Sequence, residues 1–436
     1  MMMRKLNILI LILFLFTCSD NDYKTSQKNN ANIQLTYWCA SNPREISLAK
    51  ELVDEWNAKH QNIRVILQPI PASQSSEEVL LAAIAGGTTP DVCSNMWPGA
   101  MDDFILSGGL VRLDMFPDFE QIMDARVPLD LLASFKAPDG NYYQLPWKTN
   151  PIMMVYNKGL FEEAGVQPPL PTYSDFLAAA KKIVRDDDND GIVDQWMVYR
   201  NIRSLWWQRL FDYFPLYIGA SGGLTLFDKK NIIFNNDASI KVFRFLRELY
   251  EKGYSPLTEF QGDQFINGRL ATQITGPWMI AYIERFKSPG FEFGVMPLPL
   301  PDDYSGKRYT YGDHKNISIF STTKFPDEAW AFTKTLISAH ADLRLLELCT
   351  QIPIRNTLTT DSLYQNYFNE NPMLLKFAEQ APFTRGVDGV SDLKEILDGI
   401  SQEYEACVLY GKISPEQAIE NAAKKAQIIM EWNHPQ

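Results

Sequence analysis

Apolar and polar residues alternate from Ile33 to Trp38, which puts Ile33, Leu35 and Tyr37 on one face of a short strand. Asn42-Pro43-Arg44-Glu45 then reads as a helix cap, a first-turn proline and a capping-box glutamate. Ile46, Ala49, Leu52, Val53 and Trp56 follow at the spacing of a buried helix face. Ile63 to Pro69 is the next strand, and Ser75-Ser76-Glu77-Glu78 opens a second helix. Gly86 and Gly87 close it, since a residue without Cβ adopts the left-handed conformation of a helix end at no steric cost. Pro90 starts an extended run through Val92 and Cys93. The order β-α-β-α-β implies a parallel sheet with right-handed crossovers. Ligands of such open sheets bind outside the carboxyl ends of the strands. Those ends carry Trp38, Ser94, Asn95 and Trp97.

The pattern changes near Pro146. Met153–Tyr156 reads as a strand, and Thr172 with Asp175 starts a helix to Arg185. An irregular aromatic zone runs from Trp196 to Phe214. Asn236 or Asp237 caps a long helix carrying Ile240, Phe243, Leu246 and Leu249, which Gly253 stops. Phe265 to Ile274 and Gly276-Pro277-Trp278 lead to the proline-rich Met296–Pro301.

Composition narrows the class. At 436 residues the chain has room for two or three domains, and 45% hydrophobic with 22% charged residues is globular. A net charge of −12 argues against nucleic acid, whose binding needs clustered Lys and Arg. Arg4 and Lys5 precede an apolar run from Leu6 to Phe16, the charged and apolar regions of a signal peptide over residues 1–17. Eleven helical residues at ~1.5 Å each cover about half of a ~30 Å bilayer core, too short for a transmembrane helix. Leu15-Phe16-Thr17-Cys18 resembles the bacterial lipoprotein cleavage box, in which the cysteine becomes the lipid-bearing first residue. A plain signal peptide cut later is the competing reading. Residues 18–32 form a polar tether.

Other motifs are weaker. Export permits disulfides among Cys39, Cys93, Cys349 and Cys407, with three connectivities open, and free buried thiols are the equal alternative. Asp186, Asp188, Asp190, Gly191 and Asp194 mimic the front half of a calcium loop, but its twelfth position is Met197, which cannot close it. A solvated turn is expected there, with calcium on Asp186, Asp188 and Asp190 as the weaker alternative, and no cofactor is expected. Gly219-Ala-Ser-Gly-Gly223 matches the nucleophile-elbow pattern without the strand before and helix after that the elbow needs. No catalytic residue follows from it.

The stretch Ala82–Val92, "AAIAGGTTPDV", resembles the signature of sugar-type extracellular solute-binding proteins, the receptor components of ABC importers. "QLTYW", "GGLVRLD", "DGNYYQLPW", "MVYNKGLFEEAGV", "PTYSDFLAAAKKI", "GPWMI" and "PDEAWAFTKTLIS" resemble family segments in collinear order from Ile33 to Ile354. The resemblance implies a two-lobed α/β fold of the type II periplasmic-binding-protein class with a ligand cleft between the lobes. Residues 33–147 with 315–352 would form the first lobe, and 148–314 with 353–436 the second.

It further implies a non-catalytic lipoprotein, extracytoplasmic and monomeric, that hands a mono- or oligosaccharide to an ABC permease. Sugar rings offer apolar C–H faces and a rim of hydroxyls, so flat aromatic faces and polar side chains hold them. Trp38, Trp97, Trp147 and Trp278 are the candidate stacking residues, with Tyr156 and Trp206 behind them. Asn95, Asp313 and Arg355 are the polar candidates. In the resembled family the tryptophan of Gly-Pro-Trp often stacks on sugar, which singles out Trp278. Two other classes compete: a binding module for a sensor or chemotaxis receptor, and a secreted carbohydrate-active enzyme. The enzyme would need two carboxylates ~5–10 Å apart across the scissile bond.

Overall fold

Two sheets organise the computed structural model, which describes residues 33–71, 75–228 and 231–433. The signal peptide, Cys18 and the tether lie outside the described residues. In chain order the strands are β1 (Ile33–Cys39), β2 (Ile63–Pro69), β3 (Val92–Met96), β4 (Leu145–Thr149), β5 (Met153–Asn157), β6 (Trp196–Val198), β7 (Phe227–Asp228), β8 (Asn231–Ile232), β9 (Leu270–Thr275), β10 (Phe293–Met296), β11 (Thr310–Tyr311), β12 (Lys315–Ile319), β13 (Ile352–Pro353) and β14 (Thr384–Arg385). The first lobe is built on the order β13-β4-β12-β3-β1-β2 and the second on β10-β5-β9-β6. β11 pairs with β14, and β7 with β8.

β1 runs parallel to β2 and β3, as helical crossovers require. The other pairings of the first sheet are antiparallel, because those strands arrive by later passages of the chain. The chain leaves the first sheet between β4 and β5 and returns between β11 and β12. The two passages lie side by side, with the Ile152 N–H donating to the Tyr311 carbonyl at 2.8 Å and the Asp313 N–H to that of Asn150 at 3.1 Å. No helix among the described residues is long and apolar enough to cross a membrane.

Local signals start and stop the helices. Asn42 accepts the Glu45 N–H at 2.9 Å and opens Pro43–Lys59. Gly87, at φ 62°, closes Ser76–Gly86. Thr172 and Asp175 form the reciprocal box at the head of Tyr173–Ile183. One cap departs from expectation. The Glu45 side chain does not return to its own helix end; it is 4% exposed and accepts from Lys148 Nζ at 2.7 Å. Burial pushes the Glu45 carboxyl up, but the Lys148 charge and its hydrogen bonds prevail and hold its pKa below the ordinary value.

Leu35, Tyr37 and Cys39 point from β1 into a first-lobe core that includes Trp56, Trp330 and Phe332. The opposite faces of the two sheets share one apolar cluster, in which Cys93 and Met96 of the first lobe join Met154 and Ala271 of the second. The lobes therefore meet through packed side chains. Cys39, Cys93, Cys349 and Cys407 are all buried and free, so none of the three connectivities forms.

Candidate ligand-binding site

The aromatic side chains between the lobes are placed by local backbone devices. β3 carries one residue more than β12 between their paired positions, Met96 with Asn316 and Cys93 with Ser318. Asn95 absorbs this bulge at φ 65°, a left-handed conformation that asparagine tolerates. The strand ends there, and Trp97 packs toward the second lobe with its ring 5.7 Å from that of Trp206. A Cβ on Gly99 would stand 2.4 Å from the Trp97 indole, so only glycine leaves room for the ring.

Trp278 is seated in the same way. It begins the helix Trp278–Phe286, and a Cβ on Gly276 would lie 2.1 Å from its ring. The indole folds back over the Gly276 backbone and meets Phe211 edge-to-face at 6.2 Å. Phe211 meets Tyr311 at 6.0 Å, and the Tyr311 hydroxyl faces Trp97. Trp278, Phe211, Tyr311, Trp97 and Trp206 thus form a belt that crosses from lobe to lobe; Tyr311 and Trp97 are buried between the lobes, at 1% and 7% exposure, and Trp278, Phe211 and Trp206 are its half-buried members. Trp38 packs half-buried on the same cluster from β1.

Polar groups border the belt. Asp313 accepts from the Tyr311 hydroxyl at 3.2 Å and from Lys315 Nζ at 2.9 Å. The Lys394 ammonium lies 5.5 Å from the centre of the Trp206 ring. Asp102 approaches Gly389 of the second lobe. Burial, then the charges of Asp103 and Asp139, push its carboxyl up to about 6. Aromatic faces beside carboxylates and an ammonium suit a ligand with apolar C–H faces and many hydroxyls, which both donate and accept.

Three expected site residues lie elsewhere. Trp147 is 5% exposed on β4, inside the first-lobe core, with Lys148 Nζ 4.3 Å from its ring centre. Arg355 donates from Nε to Asp342 at 2.7 Å, and Arg126 holds the same carboxylate at 2.7 Å. Asp342 is fully buried, and a carboxylate out of water needs such partners, which is why Arg355 is held away from the cleft. Tyr156 packs on Phe161, ring centres 4.9 Å apart, and lines a separate cavity of about 480 Å³.

The remaining motifs resolve locally. Carboxylate oxygens of Asp186, Asp188 and Asp194 lie within 4.8 Å of one another, whereas Asp190 stands outside that group and accepts the Ile192 N–H at 2.7 Å. Asp186 and Asp194 accept the N–H groups of Gly191 and Asp187, so the carboxylates brace their own turn. Ser221 follows the helix Tyr213–Ala220 and bonds within its own turn, where an elbow would need a strand before it. His314 is buried beside the interlobe passage, with Nε2 3.1 Å from Thr384 Oγ1, and burial lowers its pKa to about 4. Phe211, Tyr311, Lys394 and Asp102 carry no signal of their own in the sequence, although Phe211 lies in the aromatic zone Trp196–Phe214, Tyr311 two residues before the candidate Asp313 and Asp102 five after the candidate Trp97.

Residues 40–342 match the family described as bacterial extracellular solute-binding protein. The maltotriose-binding protein of Pyrococcus abyssi is 26% identical over 364 residues, covering 79% of this chain and 71% of that protein. An uncharacterized protein of Listeria monocytogenes EGD-e has a similar structure, with a TM-score of 0.82 at 24% identity over 91% of this chain and 99% of that one. For the cyclic alpha-maltosyl-1,6-maltose binding protein of Arthrobacter globiformis the TM-score is 0.78 at 22% identity, with coverage of 91% and 99%. These structural likenesses show the two-lobed fold. With the family match spanning well over half of its length, the chain belongs to the bacterial extracellular solute-binding proteins.

Proposed function

We propose that the protein captures an oligosaccharide between its lobes and presents it to the membrane permease of an ABC importer, without catalysis. The observation that carries this reading is the aromatic belt from Trp278 to Trp206, bordered by Asp102, Asp313 and Lys394. The names of the relatives, a maltotriose-binding and a cyclic maltosyl-maltose-binding protein, support an α-glucan oligomer as the solute class. Trp38, Asn95, Trp97, Trp278 and Asp313 are the ligand-binding residues of this reading, joined by Trp206. Residues 33–147 with 315–352 move against 148–314 with 353–436, and ligand favours the closed arrangement by its differential affinity. Cys18 carries the lipid anchor that holds the receptor to a bacterial membrane outside the cytoplasm, in the periplasm or at the cell surface.

A thermal-shift series with maltose to maltoheptaose tests the solute class. Ligand at one hundred times its dissociation constant stabilises by about 2.7 kcal/mol. A melting curve unmoved by every member of the series overturns it. Cys18→Ser is expected to release the chain from membranes, and unchanged membrane retention contradicts the anchor.

A further inference from the structure

One well-formed cavity among the described residues is not part of the interlobe belt. It holds about 480 Å³ beside the edge strand β10, between the helix Pro372–Gln380 and the segment that carries Lys307 and Arg308. That volume is in the range of small-molecule pockets, ~300–1,000 Å³. Tyr156, Met153 and Phe383 give it apolar walls, and Lys307, Arg308 and Lys376 face it with Glu379 as the one carboxylate.

The charge balance is unusual for a protein of net charge −12. Lys307 is paired with Asp130 of the first lobe at 3.4 Å. Arg308 and Lys376 have no carboxylate partner among the described residues. Among the described residues Arg308 donates to the carbonyls of Leu298 and Pro171, each at 3.2 Å, which occupies two of its five N–H groups. Lys376 donates to a backbone group, the Val295 carbonyl, at 3.0 Å. Burial lowers the Arg308 pKa, opposed only by the nearby Tyr304 phenol, as expected of a guanidinium without a counter-ion. Gln380 fixes this corner by donating to the Arg308 carbonyl at 2.8 Å.

We propose that this pocket is a second ligand site for a small organic anion, whose phosphate or carboxylate group is held by Arg308 and Lys376 while its apolar body lies against Tyr156 and Phe383. Two half-used cations supply directed donors to an oxyanion, and the aromatic walls supply affinity for the rest of the molecule. The site stands apart from the saccharide reading and does not depend on it.

Calorimetric titration with phenyl phosphate and with benzoate tests it, with inorganic phosphate and phenol as partial ligands. At least one aromatic anion is expected to bind at a single site, more tightly than either partial ligand, and which one prevails identifies the head group. Arg308→Gln should weaken that binding about tenfold, the loss of a charge-assisted hydrogen bond. Lys376→Met should act likewise, and because Lys376 is exposed it keeps the test valid if Arg308→Gln fails to fold. Trp278→Ala and added maltotriose should leave binding unchanged. Absence of saturable binding by either anion, equal binding by Lys376→Met, or displacement by maltotriose would overturn the proposal.

Discussion

Pro146-Trp147 and Pro277-Trp278 are the same dipeptide with opposite fates. Trp147 sits within β4, hydrogen-bonded between β12 and β13, in a strand buried along its whole length. Its carbonyl accepts from Ile354 and Arg126, and its ring lies under Lys148. Trp278 starts a helix at the end of β9, over a glycine whose missing Cβ lets the indole fold back, and stays half-buried. A proline sets the backbone direction in both places. What differs is the residue before it and the element after it. A ring surrounded on all sides is committed to stability, whereas one with an uncovered face between lobes is available to a ligand.

Substitutions should separate the two regions. The largest effect is expected for Trp147→Ala, a loss of roughly 3–5 kcal/mol of fold stability from a core cavity, with unchanged saccharide affinity in the folded fraction. Urea unfolding alongside titration checks both halves. Next, Gly276→Ala places a methyl within the volume of the Trp278 ring and must move it. Such overpacking costs about 1–3 kcal/mol, and binding should weaken by about tenfold with the ring displaced. If affinity survives, the seat of Trp278 is irrelevant to the ligand.

The smallest effect concerns pH. The Asp102 carboxyl is pushed up to about 6 from an ordinary 3.8. The native state therefore holds this proton more tightly than the unfolded chain, and Asp102's contribution to stability declines as pH rises from about 4 to 6. Asp102→Asn should remove that component of the stability–pH curve. An identical curve in the variant would show that Asp102 is solvated between the lobes.

Much of this comparison was legible before the structure. Alternation in Ile33–Trp38 and the stops at Gly86-Gly87 predict the parallel start of the first sheet, because these are local steric effects. Gly276-Pro277 was likewise readable as a turn ahead of Trp278, whereas the part of Trp278 in ligand binding comes from family resemblance and is a proposal. Trp147 was misplaced because Leu-Pro-Trp looks the same whether its strand is central or at a cleft edge; the pairing with β12 and β13 that buries it comes from chain more than 150 residues away. Arg355 was misplaced for a similar reason, since its partner Asp342 carries no local signal. Phe211, Tyr311 and Lys394 lie far apart in sequence and converge only through the interlobe passages and the helix Leu393–Tyr404.

The central claim is that half-buried aromatic faces between the lobes hold the saccharide. Calorimetric titration of maltotriose into wild type and Trp278→Ala, beside melting curves of the empty proteins, tests it most directly. Covering that ring contributes roughly 2 kcal/mol by area, so the variant should bind about thirtyfold more weakly with a nearly unchanged melting temperature. A folded Trp278→Ala that binds maltotriose as tightly as wild type would contradict the account.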